Sequence, residues 1–356
     1  MAKIAIISDT HYGVKSDSQI FLDYFTQFYE NVFFPKIDEL GIKTIIHMGD
    51  IVDRRKFINY ITLNCMNRTF FDPIRERNIA LHVMVGNHDI PYRHSNKLNA
   101  LGVLRPHDTR TKLYADPTNV VIEGCSMTFI PWINRENISD VEETIAKSSA
   151  KIALGHLEIQ GADMGGGITA KHGTPATMFS KFDKVLSGHF HKRSVYENIH
   201  YIGNPYTVYW DDFGDARGFT ILDTETLELE FIVNSYDIFN KIYYTDEGKS
   251  FEELMDYPFE DCRNRYCKLI VENRSNPFWF DQFISRIYKA DPANLQIIDI
   301  DIIQENFTEE DVVNEAQDTL TIIETYVNNT VSEKIDKSNL MYLFSHLYRE
   351  SESVEY

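Results

Sequence analysis

Five short apolar runs in this chain each give way to carboxylate, amide or imidazole side chains, and this recurrence constrains the fold more than any other feature. Lys3–Ser8 ends in Asp9-Thr10-His11, and Lys43–Met48 ends in Gly49-Asp50-Ile51-Val52-Asp53. Leu81–Val85 ends in Gly86-Asn87-His88-Asp89. Lys151–Leu154 leads into Gly155-His156, and Lys184–Leu186 into Gly188-His189-Phe190-His191. Such runs of three to six mostly apolar residues, four of the five leading to a glycine, read as buried strands. Polar groups at the tips of such strands are where α/β sheets place ligands.

The intervening segments fit that reading. Residues 18–40 carry Phe21, Tyr24, Phe25, Phe28 and Val32 at helical spacing, with Gly41 as the stop despite Pro35. A second helix is expected over about 60–77. Strand, helix, strand, helix, strand is the order of a layered α/β sheet with a site along one edge. From about 112 to 233 the pattern changes to short strands, around Val120–Ile122, Met127–Ile130, Tyr201–Ile202, Phe219–Leu222 and Leu229–Ile232. A glycine-rich stretch, Gln160 to Gly173, reads as a mobile flap or surface loop. Tyr266–Glu272, Pro277–Lys289 and Leu295–Ile303 then form a β-α-β unit. Residues 304–333 hold eight acids and no Lys or Arg, with a helix expected over about 309–328. A last helix carries Leu340, Met341, Leu343, Phe344, Leu347 and Tyr348 as an apolar stripe, open to a partner or to this chain's own core.

The 356 residues suffice for one large domain and a smaller one. No apolar run approaches the ~20 residues of a membrane span. Met1-Ala2-Lys3-Ile4 runs straight into a strand and leaves no room for a signal peptide. Cys65, Cys125, Cys262 and Cys267 lack metal-site spacing and read as reduced core thiols, so a cytoplasmic protein is expected. The net charge of −19 argues against simple nucleic-acid binding, but it is uneven. Residues 241–356 carry −13 and the first 240 residues only −6, so a DNA substrate for the N-terminal part stays open.

The strand tips supply Asp9, His11, Asp50, Asn87, His156, His189 and His191, seven nitrogen or oxygen ligands and no sulfur. Two divalent ions ~3.5–4 Å apart need that many, with one carboxylate shared. Asp50 is the natural bridge, because Gly49 before it permits close backbone approach. Mixed imidazole and carboxylate ligation suits Mn²⁺, Fe or Zn²⁺ better than Mg²⁺ or Ca²⁺.

As an ordered set these blocks resemble the signature of the calcineurin-like metallophosphoesterases, over about residues 3–235. The resemblance implies a four-layer α/β/β/α sandwich, with one metal on Asp9, His11, Asp50 and His191 and the other on Asp50, Asn87, His156 and His189. It also implies that His88 stabilises developing charge or protonates the leaving oxygen, with Asp53 orienting its ring.

Within that superfamily the layout is similar to the SbcD-type recombination and repair nucleases, bacteriophage recombination endonuclease subunits above all. Matching details are Ile51-Val52-Asp53-Arg54-Arg55-Lys56, Ile130-Pro131-Trp132 and Tyr201-Ile202-Gly203-Asn204-Pro205-Tyr206. Archaeal and eukaryotic members carry His where this chain has Asp53, so a second catalytic imidazole is missing there. The implied organisation is a nuclease domain over 1–237, a small α/β DNA-capping domain over 238–304, and a helical segment over 305–356. Through Leu340, Leu343, Phe344 and Leu347 that segment would dock on the coiled coil of an SbcC-type ATPase.

The resemblance further implies a homodimer that uses Mn²⁺, degrades DNA from 3′ ends and nicks single strands, in the host cytoplasm if phage-encoded. Arg54, Arg55 and Lys56, and Tyr92, Arg93, His94 and Lys97, can hold the DNA backbone; solvated turns are the alternative. His172 in the glycine-rich loop can reach substrate or be a plain surface imidazole. Two rivals stand beside the nuclease: a small-molecule or cyclic-nucleotide phosphodiesterase, and a non-catalytic scaffold of the ATPase complex.

Overall fold

The computed structural model describes residues 2–105, 110–165, 168–299, 327 and 336–351. Strand β1 (Lys3–Ile7) is buried on both faces, with Ile4 and Ile6 on one and Ala5 and Ile7 on the other. A strand of that kind needs cover on both sides. Strands β2 (Thr44–His47), β3 (Ala80–Met84) and β4 (Thr111–Tyr114) extend the sheet in parallel from β1.

The second sheet comes next in the chain, from β5 (Thr118–Ile122), β6 (Cys125–Ile130) and β7 (Ile152–His156). A hairpin of β8 (Asp163–Gly165) and β9 (Ile168–Thr169) precedes β10 (Lys184–Gly188), β11 (Ser194–Tyr196) and β12 (Ile199–Tyr201). Then β13 (Gly218–Asp223) and β14 (Leu229–Val233) return to the first sheet, β13 antiparallel to β1. The sheet orders are β14-β13-β1-β2-β3-β4 and β11-β12-β10-β7-β6-β5.

Ile4, Ile6, Met48 and Met84 of the first sheet meet Met127, Phe129, Leu154 and Leu186 of the second in one core. Helix Ile138–Lys147 covers the outer face of the second sheet through Val141 and Ile145. On the outer face of the first, Phe33 packs edge-on to Phe219 of β13 at 4.7 Å and Phe70 lies against His47 of β2. The result is the α/β/β/α layering.

Both helices on that face run through a proline. In Gln19–Glu39 a π turn at Tyr29–Phe33 precedes Pro35, and in Tyr60–Glu76 a π turn at Asn67–Phe71 precedes Pro73. Proline cannot donate the next helical hydrogen bond, and the wider turn lets the residue before it bond five positions back, Phe34 to Tyr29 and Asp72 to Asn67. The helices therefore continue to the stops read from sequence.

Part of the glycine-rich stretch is regular among the described residues. Gly161 N donates to Ala170 O at 2.7 Å and Ala170 N to Ala162 O at 2.9 Å, closing the β8–β9 hairpin, and Ile159, Ala162 and Ala170 are buried.

A second compact unit consists of Thr207–Phe213 and Asp237–Glu352. Its sheet joins β15 (Phe239–Thr245), β16 (Tyr266–Asn273) and β17 (Asn294–Asp299), all parallel. Helix Pro277–Lys289 packs Phe280, Phe283 and Ile287 on Ile242, Tyr244, Leu269 and Val271. The β-α-β unit is thus extended by β15 and a short helix, Phe251–Met255, which the sequence reading did not include. The helix expected over 309–328 falls, but for residue 327, outside the described residues.

Helix Lys337–Ser351 splits the terminal stripe: Met341 and Ser345 are buried, whereas Leu343, Phe344 and Leu347 are exposed and Leu340 is half-buried. All four cysteines are buried thiols. Among the described residues no helix is long and apolar enough to cross a membrane.

Candidate metal centre

The C-terminal ends of β1, β2, β3, β7 and β10 converge and bring together all seven residues read as ligands. Four of them sit in left-handed backbone, Asp9 (φ 53°), His11 (φ 40°), Asp50 (φ 55°) and His189 (φ 82°). Non-glycine residues rarely adopt such angles, and their clustering is typical of ligand sites. Close approach is enforced by Gly86, where a Cβ would lie 2.2 Å from Asp50 Oδ1.

On one side, His11 Nε2 lies 3.1 Å from His191 Nε2, 3.9 Å from Asp9 Oδ1 and 3.7 Å from Asp50 Oδ2. On the other, His156 Nε2 is 2.9 Å from Asn87 Oδ1 and 3.2 Å from Asp50 Oδ2, and His189 Nδ1 is 2.9 Å from Asn87 Oδ1. Asp50 touches both groups. Trp132, anchored by its N–H to Val85 O at 2.9 Å, walls the second group with its ring 5.2 Å from that of His189.

The donor set fits cations. His156 Nδ1 is 2.9 Å from Met48 O, an atom that only accepts, so the proton sits on Nδ1 and Nε2 presents a lone pair. Nε2, Asn87 Oδ1 and Asp50 Oδ2 are then three acceptors facing one another, an arrangement held together only by a metal ion or a proton. The surrounding carboxylates favour positive charge at this spot. Burial opposes the cationic form of His156, yet Asp50 and Asp9 push its pKa up to about 9. His11 reaches about 9 in the same way, against burial, through Asp53, Asp50 and Asp9. Burial would also raise Asp50, but the His156 and His88 imidazoles hold it well below the carboxylate range.

His88 lies at the edge of the first group, its ring 4.8 Å from that of His11. The group of Asp53 that meets the His88 ring is its backbone carbonyl, which accepts from Nδ1 at 2.5 Å. The Asp53 carboxylate faces His11 Nδ1 at 3.3 Å. Position 53 therefore offers its carbonyl whatever its side chain.

The remaining basic and aromatic candidates are placed differently from one another. Arg54 is half-buried and committed, with Nη1 2.8 Å from Asp17 Oδ2 and its guanidinium 5.0 Å from the Phe57 ring. Arg55 is half-buried, and Lys56, Tyr92, Arg93 and His94 are exposed. Lys97 pairs with Glu136 at 3.6 Å. His172 is exposed and stands outside the cluster.

Two residues that hold the site together were not read from the sequence. Asp89 is buried and accepts four backbone N–H groups: Asp50 and Gly86 on Oδ2 at 2.8 and 2.9 Å, Ile51 and Val52 on Oδ1 at 2.9 and 3.3 Å. It ties the loop after β2 to the loop after β3. Buried Arg217 donates to the His191 carbonyl and to Asn204 Oδ1, fixing the chain at the last ligand. The fourth member of Gly86-Asn87-His88-Asp89 was the available signal for Asp89; Arg217 had none nearby in sequence.

A parallel-centred double-sheet sandwich with this cluster at its strand ends defines a metal-dependent phosphoesterase. Residues 2–193 match the calcineurin-like phosphoesterase family, and the chain belongs to it. The chain is 34% identical over 330 residues to exonuclease subunit 1 of Enterobacteria phage T4, an alignment that covers 92% of each. It is similar in structure to an archaeal phosphodiesterase (17% identical, 65% of this chain and 99% of that one, TM-score 0.35). It is also similar to a dimetal phosphatase from Danio rerio (10% identical, 66% and 99%, TM-score 0.40). Metallophosphoesterases use two divalent metal ions, and the two groups around Asp50 are the candidate residues for them here.

Proposed function

We propose that this chain is a Mn²⁺-dependent DNA exonuclease and endonuclease, the nuclease subunit of an SbcC/SbcD-like recombination and double-strand-break repair complex. The observation that carries the reading is the identity to a phage exonuclease subunit along nearly the whole of both chains, the second compact unit included. In this reading Asp9, His11, Asp50 and His191 hold one ion, and Asp50, Asn87, His156 and His189 the other. Bound there, the ions supply positive charge for the phosphoryl oxygens and an acidified water. His88 keeps its proton on Nδ1, against the Asp53 carbonyl, which leaves Nε2 to exchange a proton with the diester's oxygens. Asp50 Oδ1 accepts from His88 N at 2.7 Å and fixes the backbone on which that ring stands. The unit from about 238 to 304 would cap the DNA. The exposed Leu343, Phe344 and Leu347, with Leu340, would dock on the ATPase, and two nuclease subunits would pair.

The test is cleavage of end-labelled single- and double-stranded DNA with Mn²⁺, by the wild type and His88→Ser, beside bis-p-nitrophenyl phosphate as a minimal diester. The expected result is DNA cleavage by the wild type and its loss in His88→Ser with metal binding retained. Turnover of the small diester without DNA cleavage, even with an SbcC-type ATPase added, would replace the nuclease by a small phosphodiesterase. No turnover of either substrate would leave a scaffold.

A further inference from the structure

Directly after His11 the chain makes a turn that L-residues avoid. Gly13 has φ 100°, and the three non-glycine residues Lys15, Ser16 and Asp17 follow with φ of 52°, 57° and 60°. Each left-handed residue costs roughly 1–2 kcal/mol, so three in a row persist only where neighbours hold them. The holder is visible. Asp17 Oδ1 accepts from Thr62 Oγ1 at 2.5 Å, and Asp17 Oδ2 from Arg54 Nη1 at 2.8 Å. The Asp17 and Arg54 side chains are only 8% and 13% exposed, so water weakens their pairing little. Arg54 is bonded in sequence to Asp53, whose carbonyl orients His88. Asp53 N in turn donates to Tyr12 O at 3.0 Å, and Tyr12 N to Ile51 O at 2.8 Å, so the two loops are laced together along the same stretch.

We infer that Asp17 and Arg54 are positioning residues for the phosphodiester reaction: their ion pair, braced by Thr62, fixes the Asp53 peptide and through it the His88 ring. The strain in the turn places the Asp17 carboxylate where Arg54 needs it. This assigns Arg54 a role inside the site in place of a contact to the DNA backbone. It rests on the proposed role of His88 but not on DNA as the substrate.

The two roles of Arg54 differ in what they change. A phosphate contact alters DNA affinity and its salt dependence and leaves a small diester untouched. A positioning residue lowers turnover on every substrate, because misplacing a reacting group costs rate and not binding. The experiment compares wild type, Asp17→Asn, Arg54→Gln, the double variant and Thr62→Val on bis-p-nitrophenyl phosphate and on DNA.

The expected fall in kcat on the small diester is roughly 10–100-fold for each of Asp17→Asn and Arg54→Gln, with KM within about twofold. The double variant should be no worse than the more affected single one, since both break one link. The salt dependence of DNA binding should be unchanged. A readout independent of turnover is the His88 Nδ1 proton in the NMR spectrum of the metal-free protein, assigned by its absence in His88→Ser. It should be protected in the wild type and exchange rapidly in Asp17→Asn. If Asp17→Asn does not fold, Thr62→Val, which removes only the brace, should show the same exchange with a smaller fall in kcat. A loss confined to DNA with a shallower salt slope, additive effects in the double variant, or an unchanged His88 proton would overturn the assignment. Failure of the wild type to cleave DNA would overturn the nuclease reading and leave the small-diester and NMR arms intact.

Discussion

Asp53 presents two groups to its neighbours, a carboxylate facing His11 at 3.3 Å and a carbonyl accepting from His88 at 2.5 Å. Only the first is lost in Asp53→Ala. That variant should keep His88 oriented and retain measurable kcat, while metal affinity falls roughly 10–100-fold because a ligand histidine loses its partner. Calorimetric Mn²⁺ titration together with kcat at saturating metal checks this; abolished turnover with unchanged affinity would count against it. Asp89 is the complementary case, a carboxylate that only holds backbone. In Asp89→Asn an amide N–H₂ would face backbone N–H groups in a buried place, at a cost of about 3 kcal/mol in unfolding free energy by urea titration. The seven candidate ligands, which the fold brings together, were legible as a set because each stands at or just after the end of an apolar run. Asp89 and Arg217 were not, since nothing in a linear sequence tells a carboxylate that binds a cation from one that binds four amides.

His47 on β2 shows what an element contributes to the site. Gly49 N donates to its Nδ1 at 3.2 Å, which leaves Nε2–H to donate to Thr10 Oγ1 at 3.0 Å, and Thr10 passes a hydrogen bond to Ile51 O. This neutral ring thus bridges the loops after β1 and β2, and burial lowers its pKa to about 3. The unfolded chain takes up a proton near pH 6.5 that the folded chain refuses. The stabilisation is therefore complete above pH 6.5 and is lost as pH falls toward 3, at about 1.4 kcal/mol per pH unit. His47→Gln, which cannot titrate, should flatten the pH dependence of urea unfolding between pH 6.5 and 5; an unchanged slope would refute the account.

Gly86→Ala acts between the loops after β2 and β3. Its Cβ would meet Asp50 Oδ1 at 2.2 Å, so the carboxylate proposed to bridge the metals must move and Mn²⁺ affinity should fall with little change in fold, read by metal titration and circular dichroism. The two proline-containing helices were legible from periodicity because a π turn absorbs each proline, whereas the short strands β4 and β11 and helix Ile138–Lys147 were not read. β15 was missed because its buried residues do not keep to one face: Phe239 lies on one and Ile242 and Tyr244 on the other, so the alternation breaks.

At the scale of the molecule, charge and chemistry pull apart: a site that acts on phosphodiesters sits in a chain of net charge −19. Metal bound at the cluster would offset part of the −6 carried by the first 240 residues, and the larger share of the acidity, −13, lies in residues 241–356. Of the basic residues near the site, Arg54 is paired with Asp17 and Lys97 with Glu136, and Lys56 and Arg93 are exposed. Each phosphate neutralised contributes close to one unit to the slope of log K against log salt, so the isolated chain, with its net charge of −19, should show a shallow slope. Its DNA affinity should correspondingly be weak, in the range of non-specific binding, and in the proposed complex the basic surface that retains DNA would come from the ATPase. Fluorescence anisotropy of a labelled duplex, titrated with His88→Ser protein and Mn²⁺ from 50 to 200 mM salt, measures both quantities without cleavage. A steep slope of −6 or beyond with tight binding would place the DNA surface within this chain and remove the reason for assigning it to a partner.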